Sequence, residues 1–226
     1  RVWHQEQPVF AQTRSENRDI RMKKLTRKTS AKKIYSILEK LQEIDHLQQA
    51  GKHTEALKAT EEVCLQVRQA SDSQITNRLE ILANANSMLG LSHMELGNLE
   101  LALCAYETAH RLGEKCKLSE IISHALDNIG RIHAKQQKYK EAINVRSKRL
   151  SGCTDSYETI WLRYEIGRCY LELGDAATAM EYGQPALNLA ESENDEAWLL
   201  NLNVLMGQAN IMLKHRAAAH SAFTKA

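Results

Sequence analysis

Two stretches decide how this chain folds: ALDNIGRIHAKQQKYKEA at 125–142 and YEIGRCYLELGDAATA at 164–179. In both, an Ile-Gly pair ending at Gly130 or Gly167 is followed by Arg, by a ring three residues after the Gly, and by Ala twelve residues after it. Fixed small and large residues at helical offsets predict a helix packed closely on a second, antiparallel helix, because Gly lets the two backbones approach. The chain is therefore predicted to consist of repeated helix hairpins.

The same pattern recurs on both sides of this central pair. Gly90 and Gly207 mark two further hairpins, and a weaker match has Ile44 in the glycine position. Successive repeat glycines are separated by 40, 37 and 40 residues. Such units bury their apolar faces only against neighbours, as in tetratricopeptide-type arrays. The predicted fold class is an all-α, right-handed superhelical solenoid of about five tetratricopeptide-type helix hairpins.

The predicted domain organisation is a basic arm with aromatic anchors at 1–30 and a repeat array at 31–226. The five hairpins of the array are predicted at 31–70, 74–116, 119–151, 154–192 and 195–226. Residues 1–33 hold ten Lys and Arg against three acidic residues, although the whole chain has a net charge of only +2. The arm is either a solvated helix or linker or a segment that contacts an acidic partner surface, and its aromatic residues pack either on the array or on a partner; the sequence leaves these alternatives open. Because the chain starts with Arg and stops inside its last hairpin, we expect it to be a fragment of a longer protein.

Turn and cap residues predict where the helices begin and end. Gly97 and Gly174 are expected to adopt the left-handed conformation at helix ends, with Asn98 capping the helix that follows. Pro185 is expected to bend the second helix of the fourth hairpin, where Gly183 takes the place of a core ring. The other expected caps are Ser30, the Ser71 to Ser73 segment, Thr154 or Asp155, and Asn194 or Asp195.

The sequence contains no pattern typical of an enzyme or a metal site. Its nine His are scattered, and its five Cys include no CxxC pair. GxSxG, GxxxxGK[ST], GxGxxG and HExxH motifs are absent, so no catalytic residue, metal ligand or cofactor is predicted. The cysteine pattern favours reduced thiols in an intracellular protein. No apolar stretch approaches the roughly 18 residues that span a bilayer, so no membrane contact is expected.

A binding surface is predicted on the first helix of each hairpin. In tetratricopeptide arrays, residues three before, one after and five after the repeat glycine face a groove. In the two central hairpins these positions, with one neighbour at the groove's edge, give the predicted partner-binding residues: Asp127, Asn128, Arg131, Lys135, Tyr164, Arg168 and Glu172. The equivalent arginines at 131 and 168 favour an acidic peptide partner, because guanidinium groups bind carboxylates in bidentate fashion. Alternatively, each arginine pairs with a nearby carboxylate, Asp127 or Glu172.

Four stretches carry a resemblance to a known family: VWHQEQPVFA, ALDNIGRIHAKQQKYKEAI, TIWLRYEIGRCYLELGDAATAMEYG and WLLNLNVLMGQAN. Together they resemble the C-terminal repeat domain of the tetratricopeptide-repeat subunit of the ciliary outer dynein arm docking complex. The resemblance implies a non-enzymatic adaptor that anchors outer dynein arms to doublet microtubules, in the cytoplasm, the cytoskeleton and the cilium axoneme. It implies coiled-coil and armadillo-repeat docking-complex subunits and the axonemal microtubule as partners.

Two other classes of protein are considered from the sequence. One is a long-period tetratricopeptide adaptor of a polarity or G-protein-regulator complex, whose units typically have LGN where this chain has IGR twice. The other is a nucleic-acid binder that uses the basic arm. Such a binder interleaves aromatic platforms with its charges, and residues 11–34 contain no aromatic residue. Nucleic acid is therefore not expected as a partner.

Overall fold

The computed structural model describes residues 31–69 and 77–226, and ten α-helices without any strand account for most of these residues. The helices are α1 (Ala31–Gln49), α2 (His53–Gln69), α3 (Arg78–Glu95), α4 (Leu99–Cys116), α5 (Ser119–Lys135), α6 (Tyr139–Leu150), α7 (Ser156–Glu172), α8 (Ala176–Glu193), α9 (Glu196–Met212) and α10 (Arg216–Lys225). They form five consecutive hairpins, numbered 1 to 5 from α1–α2 to α9–α10. The predicted arm at 1–30 and the caps at Ser30 and at residues 71–73 lie outside the described residues.

The chain divides into two compact units, an N-terminal unit that ends at Ile121 and a C-terminal unit from Ile122 to Ala226. Within the N-terminal unit, α1, α2 and α3 share an apolar core that includes Ile37, Leu41, Ile44, Val63 and Ile81. Within the C-terminal unit, α7, α8 and α9 share a core that includes Ile160, Ala186, Trp198, Leu202 and Leu205. The predicted division into an arm and one array stays a prediction.

Three of the repeat glycines, Gly90, Gly130 and Gly207, face the residue that follows them by sixteen positions, on the second helix of the same hairpin. A methyl group at Gly90 would lie 2.7 Å from the Tyr106 ring, and one at Gly207 would lie 2.6 Å from the Phe223 ring. At Gly130 the nearest atoms belong to Arg146, at 3.4 Å. The prediction that these glycines lie at helix–helix contacts is confirmed, since a ring or a long side chain occupies the space that a Cβ would need.

Hairpin 4 has glycine at both of these positions, Gly167 and Gly183. The next hairpin fills the space: a methyl group at Gly167 would lie 3.1 Å from Leu205, and one at Gly183 would lie 2.9 Å from Met206. The missing ring is therefore replaced by two side chains of α9. Helix α8 continues through Pro185, and the bend expected there stays a prediction.

In hairpin 1 the larger side chain stands at the repeat-glycine position and the smaller one stands sixteen residues later. Ile44 stands in the glycine position and is fully buried, and the residue sixteen positions later is Thr60, also buried. The Thr60 hydroxyl donates a hydrogen bond to the backbone oxygen of Ala56 at 2.6 Å, so this buried hydroxyl has a partner.

Gln48 joins hairpins 1 and 2 by donating to the Met88 backbone oxygen and the Ser92 hydroxyl at 2.7 and 2.8 Å.

The turn inside each hairpin has a left-handed residue seven positions after the repeat position. These residues are Gly51, Gly97, Gln137, Gly174 and Lys214, with φ between 60° and 81°. Aspartates cap three later helices: Asp155, Asp175 and Asp195 accept from the backbone N–H three residues on, at 2.7, 3.0 and 3.1 Å. Asn98 occupies the N-cap position of α4 as predicted, but its side chain makes no such hydrogen bond.

Candidate functional site

The seven predicted binding residues lie on α5 and α7, the first helices of hairpins 3 and 4. Helix α7 also contacts α9, the first helix of hairpin 5, so these two first helices lie side by side within the C-terminal unit. Lys135 and Glu172 are exposed, whereas Asp127, Arg131, Tyr164 and Arg168 are half-buried. The six side chains therefore reach solvent to different degrees, and their contacts decide which of them can meet a partner.

Asn128 does not lie at the edge of the surface, as the sequence predicted. Its side chain is only 2% exposed. The amide Nδ2 donates to the backbone oxygen of His124 at 2.8 Å, one turn earlier on α5. Because this buried amide is satisfied inside the helix, the structure corrects the prediction and places Asn128 in the interior.

Asp127 belongs to an ion cluster with Arg149 of α6 and Glu158 of α7. The Arg149 guanidinium contacts both carboxylates and lies over the Trp161 ring, with its Cζ 5.8 Å from the ring centroid. One cation between two carboxylates leaves this cluster with a net charge of −1. Asp127 is therefore held by Arg149, and the alternative in which it pairs with Arg131 is not what the structure shows.

A second ion cluster consists of Arg146, Glu165 and Arg168. Arg146 is 1% exposed, and its Nη2 lies 2.8 Å from a Glu165 carboxylate oxygen. The other oxygen of Glu165 accepts from Arg168 Nη1 at 3.1 Å. Two guanidinium groups share one carboxylate, so the cluster keeps a net charge of +1, opposite to that of the first cluster.

Cys169 completes the surroundings of Arg146, because its Sγ accepts from Arg146 Nη1 at 3.2 Å. Burial raises the pKa of the Cys169 thiol, and the nearby Arg146 charge opposes this rise only in part. The thiol is therefore neutral near pH 7 and does not cancel the positive charge. The second cluster thus presents its positive charge through Arg168, whose side chain is 28% exposed.

Arg131 and Lys135 of α5 are the remaining cations of the predicted surface. Among the residues that the structure describes, neither side chain makes a hydrogen bond or an ion pair. Binding a carboxylate at these side chains would therefore require no existing ion pair to break, which lowers the desolvation and reorganisation that oppose binding. Arg131 and Lys135 are therefore available for contact without the loss of an ion pair to any described residue.

Tyr164 and Glu172 contribute differently to the α7 surface. Tyr164 packs edge-on against Trp198 with ring centroids 5.3 Å apart, and the Arg168 Cζ lies 5.6 Å from the Tyr164 ring centroid. Glu172 is exposed, and a Glu172 carboxylate oxygen accepts from the Tyr139 hydroxyl at 3.4 Å. The alternative to a binding role had Arg168 pair with a nearby carboxylate, and the carboxylate that it contacts is that of Glu165 rather than that of Glu172.

The sequence reasoning missed two half-buried or exposed rings on the same face of α7, Tyr157 and Trp161. These two rings lie on the same side of α7 as Tyr164 and Arg168, nearer the start of the helix. Trp161, Tyr164 and Arg168 follow Tyr157 by four, seven and eleven positions. These offsets repeat with the helical period, so the signal was present in the sequence. It was overlooked because only positions close to the repeat glycine were considered.

The described residues form neither a metal site nor a membrane-spanning helix. No group of three or more His, Cys, Asp or Glu side chains in this part of the chain could hold a metal ion. None of its helices combines the length and the apolar character needed to cross a membrane. The partner-binding role of the α5 and α7 surface stays a prediction.

The arrangement of paired helices is that of tetratricopeptide-type repeat proteins, as comparison with solved structures shows. The chain is similar to BtubC (BKLC) from P. vanneervenii, with a TM-score of 0.69, 16% identity, and coverage of 95% of this chain and 83% of that one. It is also similar to a Podosopora anserina putative kinesin light chain with nearly identical TPR-like repeats, with a TM-score of 0.65, 17% identity, and coverage of 83% and 91%. The predicted all-α fold of tetratricopeptide-type hairpins is confirmed.

Sequence comparison is more specific than fold. The chain is 38% identical over 99% of its length to outer dynein arm-docking complex subunit 4 of Xenopus laevis. It is 36% and 33% identical, again over 99% of its length, to the subunits of that name in Danio rerio and Homo sapiens. The chain spans less than half of these relatives, namely 42%, 46% and 34% of their lengths. No protein-family model matches the chain. The resemblance stated from the sequence is confirmed.

Proposed function

We propose that this chain is a non-enzymatic protein-interaction scaffold that helps to anchor outer dynein arms to axonemal doublet microtubules. The observation that carries the proposal is the 38% identity to a docking-complex subunit over 99% of the chain. At this level of identity over five hairpins, a shared fold and a shared set of partners are the simplest explanation. The proposed location is accordingly the cytoskeleton of the cilium, at the axoneme.

The proposed partners are other docking-complex subunits of coiled-coil and armadillo-repeat type, together with the axonemal microtubule. Proteins, rather than nucleic acid or membrane, are proposed because helical repeat arrays offer long surfaces to extended or helical protein segments. The alternative adaptor of a polarity or G-protein-regulator complex finds no support, since the curated matches are all docking-complex subunits.

The partner surface is proposed to be the face of α5 and α7, with Arg131, Lys135 and Arg168 as the positions that bind acidic groups. What supports this is charge. Arg131 and Lys135 are unpaired in the described part of the chain, and Arg168 belongs to a cluster with a net positive charge. Each charge-assisted hydrogen bond contributes about 1.5–3 kcal/mol, so losing two would weaken binding by at least about a hundredfold. Tyr164 and Glu172 flank these positions.

A chimera tests the proposed function directly. This chain replaces the matching segment of the Xenopus laevis subunit, and the chimera is expressed in frog multiciliated cells that lack the endogenous subunit. We expect outer dynein arms to return along the doublet microtubules, as scored by electron microscopy of cross-sections. Arms that stay absent, although the chimera folds and reaches the cilium, would contradict the proposal.

A matched pair of chimeras tests the surface. Arg131→Glu with Lys135→Glu reverses two charges that take part in no ion pair within the described residues, so the fold should be kept while arms are lost. Lys52→Glu with Lys58→Glu makes the same change of charge on hairpin 1 and should leave the arms in place. If both chimeras restore arms equally well, the partner uses another surface, such as the second helices or the basic arm.

A further inference from the structure

The face of α7 joins an aromatic half to a basic half. Tyr157, Trp161, Tyr164 and Arg168 follow one another at helical spacing and therefore lie along one side of the helix. Tyr157 is 42% exposed, and Trp161 and Tyr164 are half-buried. A partner that lies along this side would meet rings near the start of α7 and a guanidinium near its end.

Trp198 of α9 holds the aromatic half in place. Its ring, 9% exposed, packs edge-on against Tyr157 and Tyr164, with centroid distances of 5.8 and 5.3 Å. The Arg149 guanidinium lies over the third ring, that of Trp161. Its positive charge is neutralised by the carboxylates of Asp127 and Glu158. The rings are thus fixed before binding, and the aromatic half carries no net positive charge that would attract an acidic residue.

The basic half differs in charge. Arg168 shares Glu165 with Arg146 in a cluster of net charge +1, and Arg131 on α5 has no ion pair in the part of the chain that the structure describes. An acidic residue of a partner is therefore favoured at this half and not at the aromatic half. This division of charge fixes which end of a bound segment is acidic.

We propose that this face binds an extended, polyproline-type segment of a protein partner, in which a proline and an acidic residue are separated by two or three residues. The proline packs on the Tyr157 and Trp161 rings, and the acidic side chain pairs with Arg168 and Arg131. The inference rests on the proposed function, since it takes this face as the partner surface and names the segment that it recognises.

The spacing follows from helix geometry. Arg168 lies seven positions after Trp161, which corresponds to about 10 Å along α7 at about 1.5 Å per residue. A polyproline-type segment advances about 3.1 Å per residue, so it covers this distance in about three to four residues. Such a segment is already extended before binding and loses little conformational entropy, which suits a shallow surface lined by fixed aromatic rings.

Selection from a random peptide library displayed on phage, with the complete chain as bait, tests the inference. We expect enriched peptides to contain proline and Asp or Glu at the stated spacing, and the resynthesised peptides to bind the bait in fluorescence polarisation. Tyr157→Ala should weaken their binding about tenfold, and Arg131→Gln with Arg168→Gln should remove the preference for the acidic residue. Tyr35→Ala changes a tyrosine that is 58% exposed on α1 and should have no effect.

The outcomes separate this inference from the proposed function. Enrichment of peptides without the acidic residue or without proline, no enrichment at all, or full binding by Tyr157→Ala would each overturn the inference. Tyr157 is 42% exposed, so we expect its replacement to keep the fold, and circular dichroism of the variant checks this. If the chimera restores dynein arms while the selection yields no such motif, the proposed function stands and the inference fails. The reverse result would reject the proposed function alone.

Discussion

At the residue scale, the fold depends on matching volumes at two positions of each hairpin. Glycine at the first position accompanies Tyr106 or Phe223 at the second, whereas Ile44 accompanies the small Thr60. The glycines could be predicted from the sequence because only glycine allows such close approach. Arg146 could not be predicted as a core residue, because a single arginine in a run of polar residues is typical of a solvated helix face. Its ion pair with Glu165 forms only when α6 meets α7.

The repeat glycines are expected to differ in how well they tolerate alanine. Gly90→Ala should lower the free energy of unfolding by about 1–3 kcal/mol, because the added methyl would lie 2.7 Å from a fully buried Tyr106 ring. Gly130→Ala would meet Arg146 only at 3.4 Å, and alanine favours the helix by up to about 1 kcal/mol. Gly130→Ala should therefore be neutral or stabilising. Urea denaturation measures both, and an equal loss in the two variants would contradict the assigned contacts.

The buried Arg146 is expected to matter more for stability than its surface-like sequence context indicates. Arg146→Met should lower the free energy of unfolding by about 3 kcal/mol, because Glu165 would lose one of two guanidinium partners in a poorly solvated site. The double variant Arg146→Met with Glu165→Leu also removes the poorly solvated carboxylate and leaves only Arg168, whose side chain is 28% exposed, so it should recover much of that loss. Denaturant titration of the three proteins decides this. A double variant no more stable than the single one would show that the ion pair is not what stabilises this site.

At the scale of helices and turns, the predicted boundaries were reliable where backbone geometry limits the residue type. Gly97 and Gly174 adopt the left-handed conformation as expected, and Asp155 and Asp195 cap α7 and α9. Gln137 adopts the same conformation without being glycine, at φ 60°. A pattern based on glycine alone misses this turn, because the packing of the two helices around it overrides the local preference.

The cap of α8 gives a prediction about pH. Hydrogen bonds from the backbone N–H and the hydroxyl of Thr178 lower the pKa of Asp175. A carboxyl whose folded pKa lies below the unfolded value of about 3.9 stabilises the fold above that pH, and this stabilisation is lost as pH falls through the folded pKa. The Tm of the wild type should therefore fall more steeply below pH 4 than that of Asp175→Asn, which keeps a neutral cap. Glu141→Gln, at an exposed position on α6, serves as the control and should follow the wild type.

At the scale of the whole chain, the fold class could be predicted, but the surroundings of the candidate binding residues only in part. The repeat pattern located α5 and α7 and their outward positions. It could not show that Asn128 turns inward or that Arg149 neutralises Asp127, because both depend on the rotation of the helices about their axes and on contacts with α6. Contacts between side chains of different helices depend on how the helices pack, so they could not be predicted from one sequence alone.

In helical-repeat proteins each repeat contacts its neighbours, so destabilisation is expected to stay local along the chain. Gly90→Ala should speed hydrogen exchange in α2, α3 and α4 and leave α8, α9 and α10 unchanged. The Leu205 side chain is 1% exposed and fills the space beside Gly167 and Gly183. Leu205→Ala should therefore lower the free energy of unfolding by about 2–5 kcal/mol and speed hydrogen exchange in α7, α8 and α9. Exchange measured by mass spectrometry on peptides from each helix compares the two variants with the wild type. If either variant accelerated exchange equally in all helices, the described residues would unfold as one cooperative block, and neighbour contacts alone would not account for the stability of the array.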